Sequence, residues 1–353
     1  MLSPAMEQTR SHLFSFMDRM HSMDPFAWQS VNGNYTLRSR IAEDCQEIAQ
    51  QASRRGADGA AARATMHSIL DDIYAREFET PDVSLSECET QPILRDIASI
   101  FEQSMLAHEI ETAEMNLTDG QAEAYPRDGE EYVRWLKQLI SNHPASSHPF
   151  YRSYLPELGT REAVRYFLAQ ETSLDPRFDD ILALIQLGTK EDAKLEIAAN
   201  YWDEMGNGKL PEMHTILFAK ALAELEVDDQ YITDNLLPEA KLCGNLSAAL
   251  ALSRRHYYKA IGYFGVTEYL APSRFRSVIS AWERLGLSAE GAQYHQLHIT
   301  VDTAHAASWF KRVIKPGIDR DARVGRDIAI GALIRLNTSQ RYLDTLLSAA
   351  SSR

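Results

Sequence analysis

Apolar residues recur at helical spacing through most of the chain. One run places Ile97, Phe101 and Met105 three or four residues apart, and a later run does the same with Leu136 and Ile140. This spacing is typical of amphipathic helices, whose apolar side chains line one face. Alternating Val, Thr and Tyr runs that would indicate β-strands are scarce. The pattern therefore predicts an all-α protein.

Turn-forming residues divide the chain into two parts. Thr118-Asp119-Gly120 and the stretch from Tyr125 to Gly129 carry the Gly, Pro and Asp residues that are typical of a linker. We expect residues 1–125 to form a helical N-terminal extension and residues 126–353 to form the main domain. Pro and Gly residues break this second part into roughly seven or eight helices, which suits one compact domain.

Composition narrows the classes of function. The 353 residues include 36 Lys and Arg against 50 Asp and Glu, which gives a net charge of −14. An acidic chain is repelled by nucleic acid and by anionic membranes, so neither is expected as a partner. Cys45, Cys88 and Cys243 are scattered and form no C-x-x-C pair, which argues against a disulfide framework or a thiolate zinc site. Without a signal peptide or a long apolar run, a reduced cytoplasm is predicted.

The strongest chemical signal is the row His298-x3-Asp302-x2-His305. At about 100° per residue, positions i, i+4 and i+7 share one face of a helix. Two imidazoles and a carboxylate on a single face form a possible set of ligands for Fe(II). The alternative interpretation is a solvated polar stripe on the surface of an ordinary helix.

Other candidate ligands lie on separate predicted helices. Glu204 and His214 flank a Gly-Asn-Gly break, Glu171 lies on an apolar helix, and Glu268 lies on an aromatic helix predicted to end just before Pro272. A carboxylate in apolar surroundings is costly unless it is paired or binds a cation. Each alone is also explained by a bond to a nearby Arg or Tyr. Together with the row they give three histidines and four carboxylates, a set that suits two iron or manganese ions.

From about residue 130 onward, these motifs resemble, in order, those of the haem-oxygenase-like di-iron oxidases, the iron-containing redox enzyme family. The resemblance rests on His148-Pro149, then Glu171, Asp203-Glu204-x-Gly-x-Gly-x5-His214, Gly262-Tyr-x4-Glu268-x2-Ala-Pro, and His298-x3-Asp302-x2-His305. It implies a seven-helix core with two non-haem iron ions and O2 as co-substrate. It also implies that six residues are core ligands: Glu171, His214, Glu268, His298, Asp302 and His305. Glu204 matches an additional carboxylate ligand of the N-oxygenating branch.

The same resemblance implies an oxidase of a biosynthetic pathway that acts on a small amine or amino-acid-derived metabolite. The reaction would be N-oxygenation or oxidative C–C cleavage, with an external electron donor, and the N-terminal extension would support a homodimer. Fatty-acid-type oxidative decarboxylation is an alternative within the fold. So is a thiaminase-like hydrolase, for which Cys243 is the candidate nucleophile. A haem-binding oxygenase is disfavoured because the histidines cluster with carboxylates. A non-catalytic helical protein that binds a partner remains the alternative to an enzymatic function.

Basic residues near the predicted site are candidates for substrate recognition. Arg254, Arg255 and Lys259 precede Glu268, and Arg326 and Arg335 lie on the last predicted helices. A guanidinium group can bind a substrate carboxylate through two parallel hydrogen bonds. The sequence alone does not separate such a role from ordinary solvation.

Overall fold

The computed structural model describes residues 4–20, 22–54, 56–81, 83, 91–118 and 125–353. Helices account for most of these residues, and none of the described residues lies in a β-strand. The all-α prediction is therefore confirmed. The chain separates into two compact units, Met1–Glu111 and Thr112–Arg353. Of the predicted linker, Asp119 and Gly120 lie outside the described residues.

The first unit contains four helices and the beginning of a fifth. They are α1 (Pro4–Met20), α2 (Pro25–Gly33), α3 (Tyr35–Ala52), α4 (Ala57–Glu77) and α5 (Pro92–Thr118). Asp24 and Asn34 cap α2 and α3 by accepting hydrogen bonds from backbone N–H groups of the first turn. Helix α3 packs against α1 and α4, and Leu13, Ile48 and Leu70 are fully buried among them.

The second unit contains the helices that carry the candidate ligands. The first six are α6 (Gly129–Asn142), α7 (Arg161–Glu171), α8 (Phe178–Gln186), α9 (Glu191–Glu204), α10 (His214–Glu224) and α11 (Asp229–Asn235). The remainder are α12 (Pro238–Leu252), α13 (Tyr257–Arg284), α14 (Ala289–Ser308), α15 (Lys315–Arg320) and α16 (Gly325–Ala350). Phe150–Leu158 and Trp309–Ile314 form π-helical turns.

Helix α13 lies between α14 and α16 and packs against both. Two glycines allow the close approach of α13 to α16. A Cβ atom on Gly262 would lie 2.0 Å from the carbonyl oxygen of Ile328, and one on Gly331 would lie 1.9 Å from that of Lys259. The backbones therefore touch, and the middle of α13, which carries the candidate ligand Glu268, packs directly against α16.

The predicted end of this helix before Pro272 was wrong. Helix α13 continues through Pro272 to Arg284. Proline has no N–H to donate to the carbonyl four residues earlier, which here belongs to Glu268. The helix persists because Pro272 is buried within the packed core, where contacts with neighbouring helices outweigh one lost backbone hydrogen bond. Tertiary burial thus overrides the local signal.

None of the helices in the described part of the chain is both long enough and apolar enough to cross a membrane.

Candidate metal centre

Helix α14 carries the row His298, Asp302 and His305. Ser288 begins the helix by accepting a hydrogen bond from the N–H of Gly291 at 3.1 Å. The three side chains are only 4%, 5% and 7% exposed, whereas Thr303 and Ala304 on the same helix are exposed. The polar face therefore points inward. This burial is the opposite of what a solvated polar stripe would show.

Glu204 and His214 come together because the chain reverses sharply between them. Glu204 ends α9 and His214 begins α10. The Gly206-Asn207-Gly208 turn joins them with φ angles of +61°, +52° and +79°. Glycine is required at position 206, where a Cβ atom would lie 2.5 Å from the carbonyl carbon of Glu212. As a result, Nδ1 of His214 lies 2.6 Å from Oε2 of Glu204.

Glu204, His214 and His298 form a group with metal-binding geometry. Each offers one ligand atom, and these atoms all lie within 4.8 Å of one another. Nε2 of His298 lies 3.7 Å from Oε1 of Glu204. Nδ1 of His298 is 2.7 Å from the carbonyl oxygen of Tyr294, which leaves Nε2 as the nitrogen that faces the group. A backbone carbonyl that orients an imidazole in this way is typical of metal-binding histidines.

Glu268, from α13, lies near Asp302 and His305, whose charges shift its pKa in opposite directions. Asn200 donates to Oε1 of Glu268 at 3.1 Å, and Oε2 is buried without a hydrogen-bond partner among the described residues. Nε2 of His305 lies 3.0 Å from Oδ2 of Asp203, but the angle does not make a hydrogen bond. Two buried polar atoms therefore lack the partner that burial normally demands.

A cavity of about 40 Å³ adjoins these groups. Four carboxylates line it: Asp175, Glu204, Glu268 and Asp302. Tyr294, His298 and Thr267 add polar groups, and Leu174, Phe178, Ala271 and Phe275 form the apolar wall. So many carboxylates in one small space repel each other unless protons or cations are bound.

The pKa values show this repulsion. Burial, and then the charge of Asp302, raise the pKa of Glu268 to about 8. Burial also raises the pKa of Asp302 to about 6, against the opposing charge of His298. For Asp175, burial and the charge of Glu171 raise the pKa well above its usual value. Without a cation, these carboxyl groups hold protons that they would not hold in water.

Glu204 and the histidines show the complementary effect. Burial alone would raise the pKa of Glu204, but hydrogen bonds and charges from His214 and His298 lower it to about 2. Burial alone would lower the pKa of His298, but Asp302 and Glu204 raise it to about 10. His305 behaves likewise, since Glu196 and Glu268 raise its pKa to about 9. The protonated imidazoles thus supply the positive charge that a metal ion would replace.

Glu171, another predicted ligand, lies at the end of a helix and is bound by a tyrosine. It ends α7 and accepts a hydrogen bond from the hydroxyl of Tyr342 at 2.9 Å. Of the two neighbouring acids, Asp175 lines the cavity and Glu171 is not among its described lining residues. Asp175 was not among the predicted site residues. Its position four residues after Glu171 is the sequence signal that could have indicated it.

Residues 165–340 match the family described as iron-containing redox enzymes. The chain belongs to the iron-containing redox enzyme family. The matched region begins in α7, ends in α16 and includes every predicted ligand. Membership confirms the resemblance drawn from the motifs, and the helical structure agrees with a haem-oxygenase-like core. No curated protein matches the chain significantly.

The residues of this family member fit iron as a resident metal. Imidazole and carboxylate ligands together suit Fe(II). The unpartnered atoms Glu268 Oε2, Asp175 Oδ2 and His305 Nε2 are buried polar groups that a bound cation would satisfy. The group formed by Glu204, His214 and His298 already has its ligand atoms within reach of one ion.

The hydrolase alternative finds no support in this family member. Cys243, the candidate nucleophile, is buried on α12, and its backbone carbonyl accepts a hydrogen bond from the hydroxyl of Tyr263 at 3.1 Å. Burial in apolar surroundings disfavours the thiolate that nucleophilic attack requires. Cys243 is also not among the described residues that line the cavity.

Proposed function

We propose that this protein is a non-haem di-iron oxidase that uses O2 to oxidise a small amine or amino-acid-derived metabolite. The observation that carries the proposal is the inward-facing His298-Asp302-His305 row beside a cavity lined by four carboxylates. Glu204, His214 and His298 would hold one iron, and Glu268, Asp302 and His305 would hold the other. Asp175 would complete the carboxylate lining, and Glu171 stays a predicted ligand.

The iron ions would supply the electrons that reduce O2, a reaction that amino-acid side chains do not perform. The protein's own groups prepare the site for them. Glu204 stays ionised between two histidines, Tyr294 orients His298, and Asn200 holds one oxygen of Glu268. Phe178 and Phe275 line the cavity with apolar surface.

The size of the cavity favours a small substrate. A volume of about 40 Å³ is too small for a long acyl chain. This favours an amine or amino-acid derivative over the fatty-acid alternative. The burial of the acid and histidine rows likewise disfavours a partner-binding protein that displays them on its surface. The external electron donor, the homodimer and the biosynthetic role remain predictions.

Iron binding tests the proposal. Anaerobic titration of the full chain with Fe(II) should saturate near two irons per chain, and O2 consumption should require the bound iron. His298→Ala and Asp302→Ala should each lower the stoichiometry to one iron or fewer. His108→Ala is the matched control because His108 is exposed on α5, and it should bind two. Equal iron binding by His298→Ala and the parent would refute the assignment.

A further inference from the structure

Glu196 is a buried carboxylate that is not among the predicted iron ligands. It lies on α9, two turns before Glu204, and is only 4% exposed. It is also not among the described residues that line the metal cavity. A carboxylate removed from water is costly unless cations or hydrogen-bond donors face it. Its burial therefore needs an explanation outside the cavity.

Two nitrogen-bearing side chains face the two oxygens of this carboxylate. Oε1 of Glu196 lies 3.9 Å from Nδ1 of His305, and Oε2 lies 3.8 Å from Nη1 of Arg312. Both distances are too long for a hydrogen bond but within the range of an ion pair. The π-helical turn Trp309–Ile314, which follows α14 and packs against α9, carries Arg312. Glu196 therefore joins an exposed guanidinium to a buried imidazole.

The two ring nitrogens of His305 face different carboxylates. Nδ1 faces Glu196, whereas Nε2 lies 3.0 Å from Oδ2 of Asp203 and is buried without a hydrogen-bond partner among the described residues. A metal-bound imidazole uses one nitrogen for the metal, and the hydrogen bond that the other makes decides which one. Nε2 is thus the nitrogen available to a metal, and Nδ1 is the one that a neighbour can orient.

His298, one helical face along from His305, has a different neighbour at the same nitrogen. Its Nδ1 lies 2.7 Å from the carbonyl oxygen of Tyr294, which is a neutral acceptor. Metal-binding histidines commonly donate their second N–H to a backbone carbonyl or a carboxylate, which fixes the orientation of the ring. An ionised acceptor makes the stronger hydrogen bond. The two histidines of α14 therefore differ in the group that can orient them.

We propose that Glu196 is a positioning residue that accepts a hydrogen bond from Nδ1 of His305 and so directs Nε2 of His305 toward the metal. Arg312 holds the other oxygen of Glu196 and fixes the carboxylate in place. This inference rests on the proposed di-iron function and adds a residue outside the predicted ligand set. Loss of Glu196 removes no ligand, so the metal position that His305 serves should become weaker without disappearing.

Anaerobic titration of the full chain with Fe(II) gives the first test. Glu196→Leu removes the acceptor, and its apparent affinity for iron should fall by about 10- to 100-fold, with two irons still bound at saturation. Glu196→Gln keeps an acceptor oxygen without the charge and should fall between Glu196→Leu and the parent. Asp192→Asn is the matched control because Asp192 is an exposed acid in the first turn of the same helix, and it should bind iron like the parent.

Nitrogen-15 NMR of histidine-labelled protein loaded with Zn(II) gives a measurement that a purely structural role would not change. In the parent, His305 should be protonated at Nδ1 and metal-bound through Nε2. The Nδ1 proton of His305 should exchange with water faster in Glu196→Leu than in the parent. The Nδ1 proton of His298 is the internal control, since the carbonyl of Tyr294 holds it in both proteins, and its exchange rate should not change.

Three results would overturn the proposal: parental iron affinity in Glu196→Leu, metal bound through Nδ1 of His305 in the parent, or equal acceleration of proton exchange at His298 and His305. If Glu196→Leu fails to fold, as judged by circular dichroism, Glu196→Gln decides by the same measure of iron affinity. Iron binding by the parent separates the two proposals. A parent that binds two irons, with no effect of Glu196, refutes only the positioning role, whereas a parent that binds no iron refutes the oxidase.

Discussion

Nδ1 of His214 lies 2.6 Å from Oε2 of Glu204, although the two residues belong to different helices. Ten residues separate them, and the left-handed Gly206-Asn207-Gly208 turn provides the reversal. One face of the candidate metal centre is therefore built by a short local segment. His298 then completes it from α14.

We expect Gly206→Ala to destabilise the protein and to disrupt iron binding. Alanine at a φ of +61° is strained, and its Cβ would collide with the backbone of Glu212. The expected loss is about 2 kcal/mol or more in the free energy of unfolding, measured by urea denaturation. Gly33→Ala serves as the control because a Cβ there has open space. A Gly206→Ala variant with parental stability would contradict the assigned turn.

Stability of the metal-free protein should fall as pH rises above neutrality. His298 and His305 have folded-state pKa values of about 10 and 9, above the usual 6.5. The folded state thus holds protons that the unfolded state has released. The stabilisation is complete below pH 6.5 and is lost as pH rises through 9 to 10. Thermal melts of metal-free protein between pH 6.5 and 10 measure this slope.

Bound iron should reverse this fall in stability with rising pH, because deprotonated histidines are the form that binds a metal. Loading with Fe(II) should release protons at pH 7.5, and apparent affinity should increase toward pH 9. Anaerobic calorimetry in two buffers with different ionisation enthalpies counts the released protons. Loading without proton release would show that the metal does not displace the protons of His298 and His305.

Glu268→Gln should separate stability from metal binding. The glutamine keeps the hydrogen bond from Asn200 but cannot carry the charge that burial and Asp302 make unfavourable. At pH 9, above the Glu268 pKa of about 8, the metal-free variant should therefore be more stable than the parent, by on the order of 1 kcal/mol or more. The difference should begin above pH 4.5, where the carboxyl ionises in the unfolded chain, and level off above pH 8, so that at pH 4 the two should differ little. Iron stoichiometry should fall. A variant that binds two irons normally would remove Glu268 from the centre.

His295 makes the acid side of the stability profile steeper. Both of its ring nitrogens are buried without a hydrogen-bond partner, and Phe275 lies 5.2 Å away, edge to face. Burial, and then the charge of His298, lower its pKa to about 3. Between pH 6.5 and 3 the unfolded state binds a proton that the folded state does not, so stability falls as pH drops. The stability that His295→Phe gains over the parent should be larger at pH 5 than at pH 8. An equal difference at both pH values would contradict this account.

Much of the fold and of the centre could be predicted because both rest on local periodicity. The spacing of His298, Asp302 and His305 places them on one face whatever surrounds the helix. The inward direction of that face and the convergence of Glu268 upon it depend on packing between α13 and α14. Those contacts join residues far apart in the sequence, so no local pattern contains them.

The features that the sequence could not predict also have tertiary causes. Glu171 lies on the predicted apolar helix, and its hydrogen-bond partner, Tyr342, is 171 residues away. Asp175 lies in a short turn with Pro176, where no periodicity marks a face. Pro272 would end most helices, but burial lets α13 continue. Each outcome is decided by neighbours that the local sequence does not specify.

Asp203 and Glu204 are adjacent at the end of α9, and they serve different parts of the centre. Asp203 contacts His305, whereas Glu204 contacts His214 and His298. A shift of this single helix end moves both carboxylates at once. Occupancy of one iron position should therefore preorganise the other, so that loading is cooperative. Partly loaded protein would then be a mixture of empty and full molecules, with few that hold a single ion.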